Sequence, residues 1–98
     1  MKVRWLSVAE SDFSEALDYY LNDAQSPMAA SGFADEVDHA LAAIRNSPLT
    51  FPEFEGEVPV KLLRRFPYSI LYLIEESEII LHSIIQQERM PGYWKYRL

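Results

Sequence analysis

Phe13, Ala16, Leu17, Tyr20 and Leu21 recur at the i, i+3, i+4, i+7 and i+8 spacing of one helical face, while Glu10, Asp12, Glu15 and Asp18 mostly fall elsewhere. The spacing predicts an amphipathic helix. Ser7 followed three residues later by Glu10 marks its start as a capping box, in which hydroxyl and carboxylate each satisfy a free backbone N–H. Ahead of it "VRWLS", residues 3–7, is short, apolar and β-leaning, so a strand feeds straight into the helix. "NDAQSP" then breaks the period, with Ser26 as N-cap and Pro27 at the first helical position, where its missing N–H does no harm. A second stripe follows in Ala30, Phe33, Val37, Ala40, Leu41 and Ile44, and "RNSP" closes it because Pro48 disfavours helical geometry at Ser47. Helices joined by so short a turn predict an antiparallel hairpin.

Beyond the helices the period changes. "SPLTFPEFEGEVP" reads as a connector whose Phe51 and Phe54 can still pack down on a core. "VKLLRRF", "YSILYLIE" and "EIILHSIIQ" are rich in β-branched and aromatic residues, with "EES" as the turn between the last two. They predict an antiparallel meander. Its middle strand is apolar on both faces, with Ile70, Tyr72 and Ile74 against Leu71 and Leu73, as a central strand covered on at least one side would be. The expected fold is α+β: an N-terminal strand, then an antiparallel helical hairpin packed on a mainly antiparallel four-stranded sheet, in the order β-α-α-β-β-β. The hairpin covers one face of this sheet, and the other face is left to be accounted for.

Length and composition narrow the class. At 98 residues and about half apolar, residues 1–98 are expected to form a single domain with one core. No window approaches the roughly 18 uninterrupted apolar residues of a membrane span, and no basic start leads into an apolar stretch, so a soluble, cytoplasmic protein with no membrane contact is expected. Without cysteine there is no disulfide framework and no thiolate metal site. The net charge of −6 hides an asymmetry: residues 1–57 hold 3 basic and 11 acidic side chains, residues 58–98 hold 6 and 4. A field this acidic repels nucleic acid at long range, so contact with DNA or RNA would need a local basic face.

The catalytic inventory is thin. His39 lies mid-helix beside the buried stripe with no metal-ligand spacing around it, and reads as a partly exposed structural histidine. His82 and Ser83 are neighbours on a strand, which directs their side chains to opposite faces and separates a would-be base from a would-be nucleophile. Asp35 with Glu36 and Glu75 with Glu76 read as solvated surface pairs. Among three glycines there is no phosphate loop or dinucleotide spacing, so no cofactor and no metal are expected.

What remains is cationic and aromatic: Lys61, Arg64, Arg65, Tyr68, Arg89, Tyr93, Trp94, Lys95, Tyr96 and Arg97. Two readings stand side by side. Guanidinium stems commonly cover aromatic rings at strand ends as plain surface packing. Alternatively the cluster is a recognition face, since arginine forks pair with carboxylate or phosphate and tyrosine and tryptophan anchor interfaces.

Taken together, "AESDFSEALDYY", "FADEVDHALAAIRNSPLTFP" and "LLRRFPYSILYLIEESEIILHSIIQQERMPGYW" resemble the RelE/ParE superfamily of type II toxins, particularly its ParE-like, plasmid-stabilisation branch. The most specific stretches are "RRFPYSI.Y", Arg64 to Tyr72, and "R.PGYW", Arg89 to Trp94. The resemblance implies a growth-inhibiting toxin bound and silenced by a cognate antitoxin encoded beside it, in a toxin–antitoxin hetero-oligomer. It implies two alternative activities. ParE-like members bind and inhibit DNA gyrase, while RelE-like members cut mRNA in the ribosome, which here would fall to Arg65, Arg89 and Tyr93. The arginine that RelE-like enzymes carry after the strand-opening tyrosine falls on Ser69, and the upstream lysine falls near Leu62. Where relatives tend to carry a histidine and further basic residues before the Pro-Gly step, this chain has Gln86, Gln87, Glu88 and Met90. These departures favour the non-enzymatic gyrase inhibitor, with the endonuclease and a weak or inactive antitoxin-binding module as alternatives. The residues expected to meet antitoxin or target are Lys61, Arg64, Arg65, Tyr68, Arg89, Tyr93, Trp94 and Arg97.

Overall fold

The structure, a computed structural model, describes residues 1–97. The chain runs through β1 (Lys2–Trp5), α1 (Ser7–Asp18), a π-helical turn (Tyr19–Asp23), α2 (Pro27–Asn46), β2 (Glu53–Phe54), β3 (Val58–Leu62), β4 (Tyr68–Glu75) and β5 (Glu78–Gln86), then 3-10 turns at Gln87–Arg89 and Tyr93–Tyr96. The sheet has five strands rather than four, in the order β1-β5-β4-β3-β2. The added strand is the short β2, inside the segment expected to be a plain connector. It pairs antiparallel with β3, matching Glu53 to Pro59 and Phe54 to Val58. β1 runs parallel to β5 and the remaining pairs are antiparallel. Mainly antiparallel α+β therefore holds.

The second helix behaves as its pattern requires. Ser26 Oγ accepts from the Ala29 N–H at 3.1 Å, Pro27 opens the helix, and Ala30, Phe33, Val37, Ala40, Leu41 and Ile44 are all buried. The first departs in two places. Ser7 is already helical and Leu6 holds the N-cap position without a side-chain bond, so the expected capping box does not form. Leu21, expected on the buried stripe, is 47% exposed. The cause is the π-helical turn, closed by the Ala24 N–H donating to Tyr19 O at 2.9 Å. A wider turn advances each residue by a smaller angle, so the apolar face slips in phase and Tyr20 points inward while Leu21 swings out.

The doubly apolar β4 is covered on both sides. Ile70 and Tyr72 face the helical hairpin, in a cluster with Phe33, Val37, Ile44, Ile79, Leu81 and Ile84. Leu71 faces the other way, in a cluster with Val60, Leu62 and Met90 that Phe54, Ile85, Tyr93 and Tyr96 flank. The face left unassigned by the sequence is thus closed by the chain's own C-terminal turns. Met90 is fully buried there, and the Tyr96 hydroxyl accepts from the Glu55 N–H at 3.3 Å.

Strand β3 stops at Leu62 instead of running to Phe66. Arg64 and Arg65 consequently lie in a bend, and Phe66 folds back toward α2, where Gly32 leaves room for its ring; a Cβ at that position would lie 3.3 Å from Phe66 Cζ.

Tyr72 ties the central strand to the end of α2. Its side chain is fully buried and its hydroxyl donates to Pro48 O at 2.5 Å. Burial pushes its pKa up to about 12. Because the folded value lies above the unfolded one near 10, the stability this group contributes is intact below pH 10 and is lost as pH rises toward 12. Urea denaturation of Tyr72→Phe at pH 8 should show a loss of about 0.5–1.5 kcal/mol from the missing hydrogen bond. By pH 11 the gap to the parent protein should narrow; a constant gap would mean that the fold does not hold this phenol protonated.

Candidate functional site

The bend between β3 and β4 carries the two adjacent arginines, and its backbone is held from both sides. On the inner side, Gln87 Nε2 donates to Leu63 O at 3.0 Å and to Tyr68 O at 2.9 Å, with a longer contact of 3.4 Å to Phe66 O. The Leu63 N–H donates to Tyr68 O and the Gln87 N–H to Pro67 O, both at 2.9 Å. On the outer side the Glu36 carboxylate of α2 accepts from the backbone N–H groups of Arg64 and Arg65 and from Arg65 Nε, the last at 3.3 Å. The Arg65 side chain is 67% exposed, so its ion pair with Glu36 contributes at most about 1 kcal/mol. The larger role of Glu36 is to satisfy two backbone donors that have left the strand ladder.

This corrects the reading of Glu36 as a solvated surface acid, since only 14% of its side chain is exposed. The signal was present: Glu36 lies three residues after Phe33 and four before Ala40, at the border of the buried stripe. Gln87 had no such signal, and its buried amide acquires a role only through the returning C-terminal segment.

Around this bend the cations gather on a groove of about 300 Å³, lined by Glu36, His39, Ala40, Ala43, Lys61, Leu62, Leu63, Arg64 and Arg65. Lys61 has its pKa lowered, chiefly by burial and next by the Arg64 charge, with Glu36 partly offsetting both. Its Nζ lies 5.2 Å from the Phe51 ring centroid. Past Arg64 the surface continues into a second hollow bounded by Leu62, Leu63, Arg64 and Arg97. The Arg97 guanidinium stacks over Tyr93 at 5.7 Å, and Trp94, 63% exposed, meets Tyr93 edge-on. Lys61, Arg64, Arg65, Arg97, Tyr93 and Trp94 thus follow one another along a continuous stretch.

Tyr68 and Arg89 do not belong to that stretch. They line a different groove with Asp12, Glu15 and Tyr19 of the other helical segment, where the acids oppose the arginine. Tyr68 also packs into the aromatic core with Tyr20 and Phe33. The three residues named for RNA cleavage are therefore divided: Arg89 lies at the α1 groove, apart from Arg65 and Tyr93 on the cationic stretch. Ser69 and Leu62, the positions where a RelE-like enzyme would carry cations, are buried, and Ser69 Oγ has no hydrogen-bond partner among the described residues.

A β-bulge overturns one further expectation. Leu71 pairs with Ser83 and Tyr72 with Leu81, so His82 is the extra residue and the alternation of side chains breaks. His82 Nδ1 consequently lies 3.1 Å from Ser83 Oγ rather than across the sheet from it. Asp12 Oδ2 accepts from the Ile84 N–H at 2.9 Å, which ties α1 to β5 just beyond the bulge. Among the described residues, no group of acids and histidines is arranged to hold a metal ion, and no helix is long and apolar enough to cross a membrane.

Gln87→Ala should take the Gln87 donor from the Leu63 carbonyl, while Tyr68 O keeps the Leu63 N–H and Phe66 O the Tyr68 N–H, and cost about 1–3 kcal/mol. For a domain of this size that is a fall in Tm of roughly 4–8 °C per kcal/mol, measurable by calorimetry. A change within error would show that the bend is held by Glu36 and packing alone.

Residues 3–91 match the family described as the ParE toxin of the type II toxin-antitoxin system, parDE. Among solved structures, a chain from the "Chromosomal ParDE TA system from P. aeruginosa" is 19% identical, with a TM-score of 0.75 over 88% of this chain and 95% of that one. At that identity the likeness speaks for the fold. Among curated proteins none matches. Since the family match spans most of the sequence, the chain belongs to the ParE toxin family of type II toxin-antitoxin systems.

Proposed function

We propose that this ParE-family chain is a cytoplasmic toxin that arrests growth by docking on DNA gyrase rather than by cleaving RNA. A cognate antitoxin, encoded beside it, then neutralises it in a hetero-oligomer by covering the cationic stretch. The observation that carries the choice between the two activities is the burial of Ser69 and Leu62, at 0% and 5% exposure. Cleaving RNA without a metal requires several cations converging on one phosphate to stabilise its developing charge. Here the two positions at which the resemblance would add cations are core positions. Of the three residues left for the task, Arg89 lines the α1 groove, apart from Arg65 and Tyr93 on the cationic stretch. Binding makes no such demand. An arginine-rich, aromatic-edged stretch offers forks for carboxylates and rings for anchoring, which is what a protein partner uses.

Purified protein should inhibit supercoiling by gyrase, while primer extension on cellular mRNA after induction should show no new cleavage ends. The opposite pair of results would replace the gyrase reading with the endonuclease. Inactivity in both assays, with tight antitoxin binding retained, would leave a binding module. Reversing charge at both arginines, Arg64→Glu with Arg65→Glu, should weaken capture by the antitoxin encoded beside the gene at least about tenfold. Unchanged capture together with unchanged growth inhibition would remove the arginine pair from the proposal.

A further inference from the structure

Strands β3 and β4 part at one end of the sheet. They pair only through residues 60–62 against residues 69–71, whereas β4 continues beside β5 as far as Glu75. Ahead of Val60, β3 pairs with β2 instead, with Pro59 opposite Glu53 and Val58 opposite Phe54. Pro59 has no N–H to offer β4, which favours the parting. A notch of about 320 Å³ opens there. Its floor is Phe51 and Ile74, both half-buried against the core beneath the helical hairpin. Pro48, Leu49 and Pro59 stand around that floor, with Leu49 88% exposed.

The charge around this apolar floor has one sign. Glu53 and Glu57 line the notch, both exposed, and no basic side chain does so among the described residues. Glu55, Glu75 and Glu76, next along the chain from the lining residues, are exposed as well. The ion pairs among the described residues, Arg4 with Glu78 and Arg65 with Glu36, involve none of these glutamates. We propose that the notch docks a cationic segment of a separate protein, which sets an aliphatic side chain on Phe51 and Ile74 and lysine or arginine beside Glu53 and Glu57.

The chemistry of the notch selects among occupants. Nucleic acid would bring phosphates against carboxylates that no cation balances. A wholly apolar ligand would strip water from Glu53 and Glu57 and return no partner to them. A basic segment with an aliphatic anchor meets both demands, since its cations pair with the rim while its anchor gains from burial on the floor. The notch is also formed in advance. The Tyr72 hydroxyl holds Pro48 O, the Val60 N–H holds Pro52 O at 2.9 Å, and prolines at 48, 52 and 59 fix the backbone around it. Little ordering is left for a partner to impose, which lowers the cost of binding. Opposite in sign to the stretch that runs from Lys61 to Arg97, this surface selects a different partner.

A fluorescently labelled peptide of about eight residues, two central leucines flanked by lysines, is long enough to cross the notch and tests this directly. Otherwise identical peptides with glutamate for lysine, or serine for leucine, serve as controls. Anisotropy titration of the full chain should show the lysine–leucine peptide binding at least about tenfold more tightly than either control, with affinity falling as salt is added. Glu53→Lys with Glu57→Lys should weaken it about tenfold or more, while Asp35→Lys with Asp38→Lys, the same change in net charge on exposed positions of α2, should weaken it less than about twofold. Leu49→Ser should weaken it with the charges untouched. Backbone amide shifts on titration of the parent protein should concentrate at Leu49, Glu53, Glu57 and Ile74, which keeps the test decisive even if a variant folds poorly. Equal loss in the two charge-reversed variants, binding indifferent to the leucines, or shifts confined to other surfaces would overturn the proposal. Sedimentation of the parent protein alone should show no self-association. Self-association abolished by Glu53→Lys with Glu57→Lys would assign the notch to a second copy of the chain and overturn the separate partner.

Discussion

Strand β4 presents large apolar side chains on both faces, and neither face can be left to water. Tyr72, Ile70 and Leu71 are all buried, and burying each is worth about 1.5–3 kcal/mol relative to exposure. In a chain of 98 residues the helical hairpin is long enough to cover one face only. The second face has to be closed by whatever follows β5. The C-terminal segment therefore turns back across the sheet and sets Met90 against Val60, Leu62 and Leu71.

The geometry of the site follows from that return. As the chain leaves β5, Gln87 arrives beneath the β3–β4 bend, where its amide meets the carbonyls of Leu63 and Tyr68. Glu36 closes the bend from the helix side. Held on two sides, the bend directs Arg64 and Arg65 outward next to Lys61, and the same returning segment delivers Arg97 to the adjoining hollow. Covering the core and assembling the cationic stretch are thus one event. A loss of cover on the second face would disperse the cations as well as expose the sheet.

The charge arrangement has a functional consequence. A net charge of −6 repels nucleic acid at long range, yet the chain carries a local groove lined by Lys61, Arg64 and Arg65. Long-range repulsion and short-range attraction together discriminate among partners more sharply than a uniformly basic surface could. A selective protein contact suits a member of the ParE toxin family, whose system pairs a toxin with an antitoxin.

Local patterns in the sequence were sufficient wherever a residue's role depended on near neighbours in the chain. The whole buried stripe of α2, its Ser26 cap, its end before Pro48 and the α+β order are of this kind, because helical period, capping and proline geometry act over a few residues. The cationic and aromatic candidates were also legible by residue type. Tertiary structure decided what depended on distant segments. It ended β3 at Leu62, because Glu36 and Gln87 offered the bend other hydrogen-bond partners. It rotated Leu21 outward through the π-helical turn, and brought His82 beside Ser83 through the bulge. It also separated Tyr68 and Arg89 from the other cations, a division that no spacing along the chain encodes. Residues far apart in the chain acquire their relation only when the sheet is covered on both faces, and that requirement belongs to the whole fold.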